Sequence, residues 1–215
     1  NTWVDPYNRG VWNYILDIAK QAVEYGFDEI QLDYVRFPTE GNVKNCRFSK
    51  PNNKNEQIKN IVEFVKYIKN NLPPNIRLSV DLFGLTTRSD MGIGQGLDQV
   101  LKVADRVYLM MYPSHYYPGE YNLSFPEAEP YKVINRGLKE AKETSGENYY
   151  KIIPYLQDFS LKVKYTQYHV RAQILAAKNN MIKSFVLWNP RSVYSWDLLK
   201  EKTFCSFIEP ENCNP

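Results

Sequence analysis

The spacing of apolar residues switches repeatedly between a helical and an extended period. Val11, Ile15, Ile18, Ala22 and Val23 recur at helical spacing. Asp5-Pro6 stands ahead of them, a good N-cap followed by a residue suited to the first helical position, and Gly26 suits the C-terminal cap. An extended stretch follows over Glu29–Arg36, broken by Pro38. A polar loop, 39–55, leads to a second helical stripe of Ile58, Ile61, Val62, Val65 and Ile68, which Pro73-Pro74 ends. The alternation continues with a strand over 76–82 and a short helix near 97–104, preceded by Gly92, Gly94 and Gly96. A strand over 106–112 comes next, then a long Tyr-rich loop, 113–129. The last predicted elements are a helix over 131–143, a strand over 151–156, a helix over 166–178, a strand over 183–188 and a short helix near 196–201.

Strands separated by single helices predict parallel βαβ units and an α/β fold. Five such strands suit an open doubly wound sheet or part of a closed (β/α) barrel, and in both the chemistry lies beyond the C-terminal ends of the strands. No low-complexity linker interrupts the chain, so residues 1–215 are expected to form one domain, with 190–215 as a C-terminal helix and tail.

The strand ends carry the polar residues. The first ends in Asp33-Tyr34-Val35-Arg36, the second in Asp81-Leu82-Phe83-Gly84 and the third in Tyr112-Pro113-Ser114-His115-Tyr116. The fourth ends in Gln157-Asp158-Phe159 and the fifth in Trp188-Asn189-Pro190-Arg191. Period-two alternation puts Gln31 and Asp33 on one face of their strand and Ser79 and Asp81 on one face of theirs, with Ile30, Leu32, Leu78 and Val80 opposite. A carboxylate in an otherwise apolar strand is costly without a partner, so packing alone is a poor account of these lines. Converging carboxylates suit acid/base or nucleophilic work on a glycosidic bond, and equally an oxygen-bound divalent cation. Arg36 and Arg191 offer the plainer alternative of salt bridges to Asp33 or Asp158. Glu29 begins its strand and reads as structural, Asp28 as a turn residue, and His169, on a helix, as structural.

Composition narrows the classes. The 27 basic and 24 acidic residues are scattered without a basic stripe, which argues against a nucleic-acid partner. No apolar run approaches the roughly 18–20 residues of a membrane-spanning helix. Aromatic residues make up 14% of the chain, many in loops, where amphipathic rings suit stacking on sugars. Cys46, Cys205 and Cys213 have no metal-site spacing; Cys205 and Cys213 are near enough to close a small loop, which leaves Cys46 over and leans towards export. The chain starts at Asn1 and reads as a processed or truncated product, and Asn122-Leu-Ser is a glycosylation sequon. Gly92-Ile-Gly-Gln-Gly96 lacks the Lys-Ser/Thr of a phosphate-cradling loop, no Cys/His metal cluster is present, and no Gly-x-Ser-x-Gly elbow exists. No cofactor or metal is expected.

Taken in order, Trp3–Tyr7, Gly26–Pro38, Ser79–Gly84, Met111–Tyr116, Tyr155–Phe159 and Leu187–Asn189 resemble the glycoside hydrolase-type domain family DUF4015. The resemblance implies a TIM-barrel fold and glycosidase activity but no particular substrate; a polysaccharide or cell-envelope glycan is the expectation, with an extracellular or envelope location. A complete barrel has eight strands and about 250 residues. By that resemblance the five strands here correspond to the fourth to eighth, so the barrel is expected to be incomplete, its first three strands supplied by a missing N-terminal segment or by a homo-oligomer. Asp33 is the expected nucleophile or base, and Asp81 or Asp158 the proton donor. Arg36 is expected to orient Asp33 or bind an anionic substituent. Trp3, Tyr112, His115, Tyr116 and Trp188, with Asn189, are expected to line the cleft. Two rivals stand beside this expectation: a non-catalytic carbohydrate-binding or envelope scaffold, and a metal-dependent hydrolase or deacetylase.

Overall fold

The computed structural model describes residues 3–198. Five strands form one sheet: β1 Glu29–Leu32, β2 Arg77–Phe83, β3 Arg106–Met110, β4 Ile152–Gln157 and β5 Val186–Trp188. Their order in space is their order in the chain, β1-β2-β3-β4-β5. A doubly wound sheet would reverse direction at a switch point. Strands that advance in one direction, each parallel to the last, define the incomplete TIM-barrel-like α/β fold. Five helices accompany them: α1 Arg9–Glu24, α2 Lys54–Asn71, α3 Leu97–Leu101, α4 Pro130–Ser145 and α5 Gln167–Asn179. Among the described residues no helix is long and apolar enough to cross a membrane. The short helix expected near 196–201 is seen as a single turn over Trp196–Leu198; its remaining residues, Cys205 and Cys213 lie outside the described residues.

The chain divides into two compact units, one running to Leu109 and including Glu143–Ile152, the other made of Met110–Lys142 and the chain from Ile153 on. In the first, β1 and β2 pair in parallel with Ile30 opposite Leu78 and Gln31 opposite Ser79. Leu78, Val80 and Leu82 are fully buried, as are Val65 and Ile68 of α2. Glu29 anchors the N-terminal ends of three strands: its carboxylate accepts from Arg77 Nε at 3.0 Å, Arg106 Nη1 at 2.7 Å and the Tyr108 hydroxyl at 3.3 Å. In the second unit, β4 and β5 pair with Tyr155 opposite Val186, and Val133, Ile134 and Leu138 of α4 and Val170 and Ile174 of α5 supply the apolar packing.

Several expected boundaries differ: α3 ends at Leu101, β3 at Met110, and β5 begins only at Val186. Helix α1 opens at Arg9, not at Asp5-Pro6: the Asn8 side chain caps it, accepting from Gly10 N at 2.8 Å. Asp5 instead holds the preceding loop, accepting from Tyr7 N at 3.1 Å and Ser49 N at 3.0 Å. The other end is as expected, with Gly26 left-handed at φ 97° and bonds from Gly26 N to Val23 O and Phe27 N to Ala22 O that close a Schellman motif. Strand β1 stops at Leu32, four residues short of its expected end, because Tyr34 turns into the left-handed region at φ 57°. His169 lies in the first turn of α5, where its Nδ1 accepts from Thr166 N at 3.2 Å.

Candidate functional site

In the first unit the side chains at the ends of β1 and β2 converge. Alternation directs Gln31 and Asp81 to the same side, and Gln31 Nε2 donates to Asp81 Oδ1. Asp81 is 6% exposed. Loss of water raises its pKa to about 7 against the hydrogen bond from Gln31, and the Asp33 charge pushes the same way as burial. Asp33 itself is exposed, and its Oδ1 accepts from Tyr34 N at 2.7 Å. Two neighbouring carboxyls therefore sit in unlike surroundings, one wet and one dry.

A buried amide fixes the backbone beneath them. Gln95 is 1% exposed; its Nε2 donates to Val35 O at 3.2 Å and Asp81 O at 3.5 Å, and its Oε1 accepts from Phe83 N at 3.0 Å. Gln95 belongs to the glycine-rich segment, which serves packing. Ile93 O accepts from Phe37 N at 2.9 Å, and a Cβ on Gly94 would come within 2.9 Å of Gln57 O on α2. The glycines let this loop touch a helix backbone, so a close-approach signal was visible in the sequence while the part played by Gln95 was not.

Arg36 is buried and does not bridge to Asp33. Its Nη1 donates to Thr39 Oγ1 at 3.1 Å and Phe37 O at 3.4 Å, and its Nη2 pairs with Glu40 Oε1 at 3.4 Å. The guanidinium lies 4.8 Å from the Trp3 ring centre, 5.5 Å from Tyr34 and 5.3 Å from Phe83. Beside it opens a cavity of about 280 Å³ whose lining includes Trp3, Gln31, Asp33, Tyr34 and Arg36.

The second unit holds the other expected residues. Tyr112 is buried, with its ring 5.3 Å from His115 and 5.7 Å from Phe159. His115 keeps an open edge, yet these rings exclude water from its flank, and that desolvation lowers its pKa against the weaker opposing charge of Glu127. Tyr116 is 6% exposed and packs on Tyr121 at 5.6 Å, so little of it is open to a ligand. Trp188 ends β5 partly exposed, edge-on to Tyr155.

Asp158 is engaged at both oxygens: Oδ1 accepts from Ser195 Oγ and Oδ2 from Ser195 N, each at 2.8 Å. Asn189 Nδ2 donates to Asp158 O, and Asn189 Oδ1 accepts from Arg191 N at 2.8 Å. These bonds are those of an anchor for the chain after β5. Glu127, 3% exposed, had no signal in the sequence; it accepts from Leu161 N and Lys162 N and fixes the loop after β4. Cys46 is partly buried and makes no disulfide among the described residues. Among the described residues no three His, Cys, Asp or Glu side chains gather as a metal donor set.

Parallel strands advancing in order, with polar residues at their C-terminal ends, place the chain in the class of TIM-barrel-like α/β domains. The family described as "Putative glycosyl hydrolase domain" (DUF4015) matches residues 1–194, and the chain belongs to it. No curated protein matches the chain. Among solved structures it is similar to the spore cortex-lytic enzyme SleL of Bacillus cereus, with 15% identity, TM-score 0.61, and coverage of 90% of this chain and 54% of that one. The glycoside hydrolase domain of PgaB (BpsB) from Bordetella bronchiseptica gives 14% identity, TM-score 0.52, and coverage of 72% and 42%. Active domain 2 of a thermostable chitinase from Pyrococcus furiosus gives 14%, 0.51, 88% and 56%. At these identities the likeness is one of fold. The chain spans about half the length of the structures it matches.

Proposed function

We propose that this domain cleaves glycosidic bonds of a structural polysaccharide or cell-envelope glycan with Asp33 and Asp81 as its working pair. The observation that carries the reading is the contrast between them. Asp81 is buried, held by Gln31 and shifted to about pH 7, so a substantial fraction carries the proton a leaving group needs. Asp33 is exposed and can act as nucleophile or base. Trp3 and Tyr34 supply ring faces for the sugar beside them. Asp158, committed to Ser195, is the weaker candidate for the donor.

The test begins with chito-oligosaccharides and cell-wall glycans, assayed for new reducing ends. Asp81→Asn should slow turnover by about 10²–10⁴-fold, and Asp33→Ala should be comparably slow but partly rescued by azide, a small anion that fits the space of the lost carboxylate. Asp158→Asn should leave the shape of the pH–rate profile unchanged. Full turnover by folded Asp33→Ala and Asp81→Asn proteins would refute the pairing. Glycan affinity that persists without turnover in the unaltered protein would favour a binding module instead.

A further inference from the structure

The Arg36 guanidinium is a buried cation with an unfinished set of partners. The residue is 5% exposed, and its counter-charge is Glu40, an exposed side chain at 3.4 Å. Its Nε–H is buried and meets no acceptor among the described residues. A buried cation paired this loosely carries a desolvation cost that a better-placed anion would offset. Nε and Nη2 share one edge of the guanidinium, the edge that grips a carboxylate with two parallel hydrogen bonds. One of its donors is unused and the other is held by Glu40 alone. Arg36 also lines the cavity that contains Asp33 and Gln31, beneath the rings of Trp3 and Tyr34. Tyr34 is 69% exposed, so its ring is open to an incoming sugar. Glu40 borders a second cavity of about 310 Å³, which gives its side chain room to withdraw.

We propose that Arg36 is the recognition group for a carboxylate on the sugar bound beside Asp33, and that the substrate is therefore an acidic glycan. This rests on the glycosidase reading for the use of the site, although the binding event does not require turnover. A single cation held in an aromatic box selects a planar anion by its fork and a sugar face by its rings. Lysine in the same place would keep the charge and lose the fork.

Two kinds of sugar acid carry the required group, a hexuronate and a lactyl ether, and one experiment distinguishes them. Calorimetric titration of the Asp81→Asn protein uses oligosaccharides of equal length with either acid, and the same oligosaccharides with the carboxylates reduced to alcohols. At least one acid form should bind about ten- to a hundredfold more tightly than its reduced counterpart. Adding Arg36→Lys should abolish that preference, whereas Glu40→Gln should keep or strengthen it, because the competing carboxylate is gone. Equal affinity for acid and reduced forms, no affinity for either acid, or a preference that survives Arg36→Lys with an unchanged circular dichroism spectrum would each overturn the proposal. Should Arg36→Lys fail to fold, weakened acid binding by Glu40→Gln would overturn it as well. Turnover of neutral glycans without acid preference would refute acid recognition and leave the glycosidase reading standing. Acid-selective binding without turnover would do the reverse.

Discussion

Asp81 shows how one side chain takes its chemistry from its surroundings. A carboxylic acid whose folded pKa is about 7, against an ordinary 3.8, binds an extra proton in the folded state between those values. Folding stability should therefore fall as pH rises from about 4 to about 7, and level off above. Asp81→Asn keeps an acceptor for Gln31 and removes the charge. Urea denaturation at pH 8 should find it more stable than the unaltered protein by on the order of 2–4 kcal/mol, with the difference vanishing below about pH 4. The same group predicts that turnover declines above about pH 7, as the donor loses its proton. A stability difference independent of pH would mean that folding leaves the pKa of Asp81 unshifted. At this scale the sequence was partly legible. Alternation alone put Gln31, Asp33, Ser79 and Asp81 on one side, and Gln31 does reach Asp81. The engagement of Asp158 by Ser195 was not legible, because that contact spans 37 positions and neither residue type announces it.

Between elements, close approach decides what the chain tolerates. Gly94 has φ +81°, and any Cβ there would press on the carbonyl of Gln57 in α2. Gly92 has φ +69° with open space around it. Gly92→Ala should therefore cost about 1 kcal/mol from the backbone alone, and Gly94→Ala about 2–3 kcal/mol from backbone and contact together. Equal midpoints for the two variants in chemical denaturation would show that the loop does not press on α2. The helices and strands followed from periodicity, because each buries one stripe or face, and Gly26 marked the end of α1 correctly. Two of the misplaced boundaries, the start of α1 and the end of β1, have local causes. Asn8 and Asp5 are both good caps, and which one caps depends on Ser49, far along the chain. Strand β1 has residues that favour extension through Arg36, but Tyr34 adopts a left-handed conformation that side chains avoid. Such strain collects at functional sites, and here it lies between Asp33 and Arg36.

For the whole molecule the question is what a five-stranded piece of a closed architecture does with its margins. Closure removes sheet edges in a complete barrel. Here β1 and β5 are the outermost strands of the described sheet, and β1 presents only Glu29–Leu32. The strand that leads to Asp33 is thus also an outermost strand, with Gln31 on its polar face. An edge of this kind is a template for pairing with another chain. Residues 1–215 in isolation should therefore show concentration-dependent association in sedimentation velocity. A chain that stays monomeric at every concentration would show that β1 is not a template for pairing. Because Asp33 follows β1 directly, a strand added to that edge would also alter the surroundings of the Asp33–Asp81 pair. Association and the pKa of Asp81 should then be coupled, and the pH at which turnover declines should shift with protein concentration.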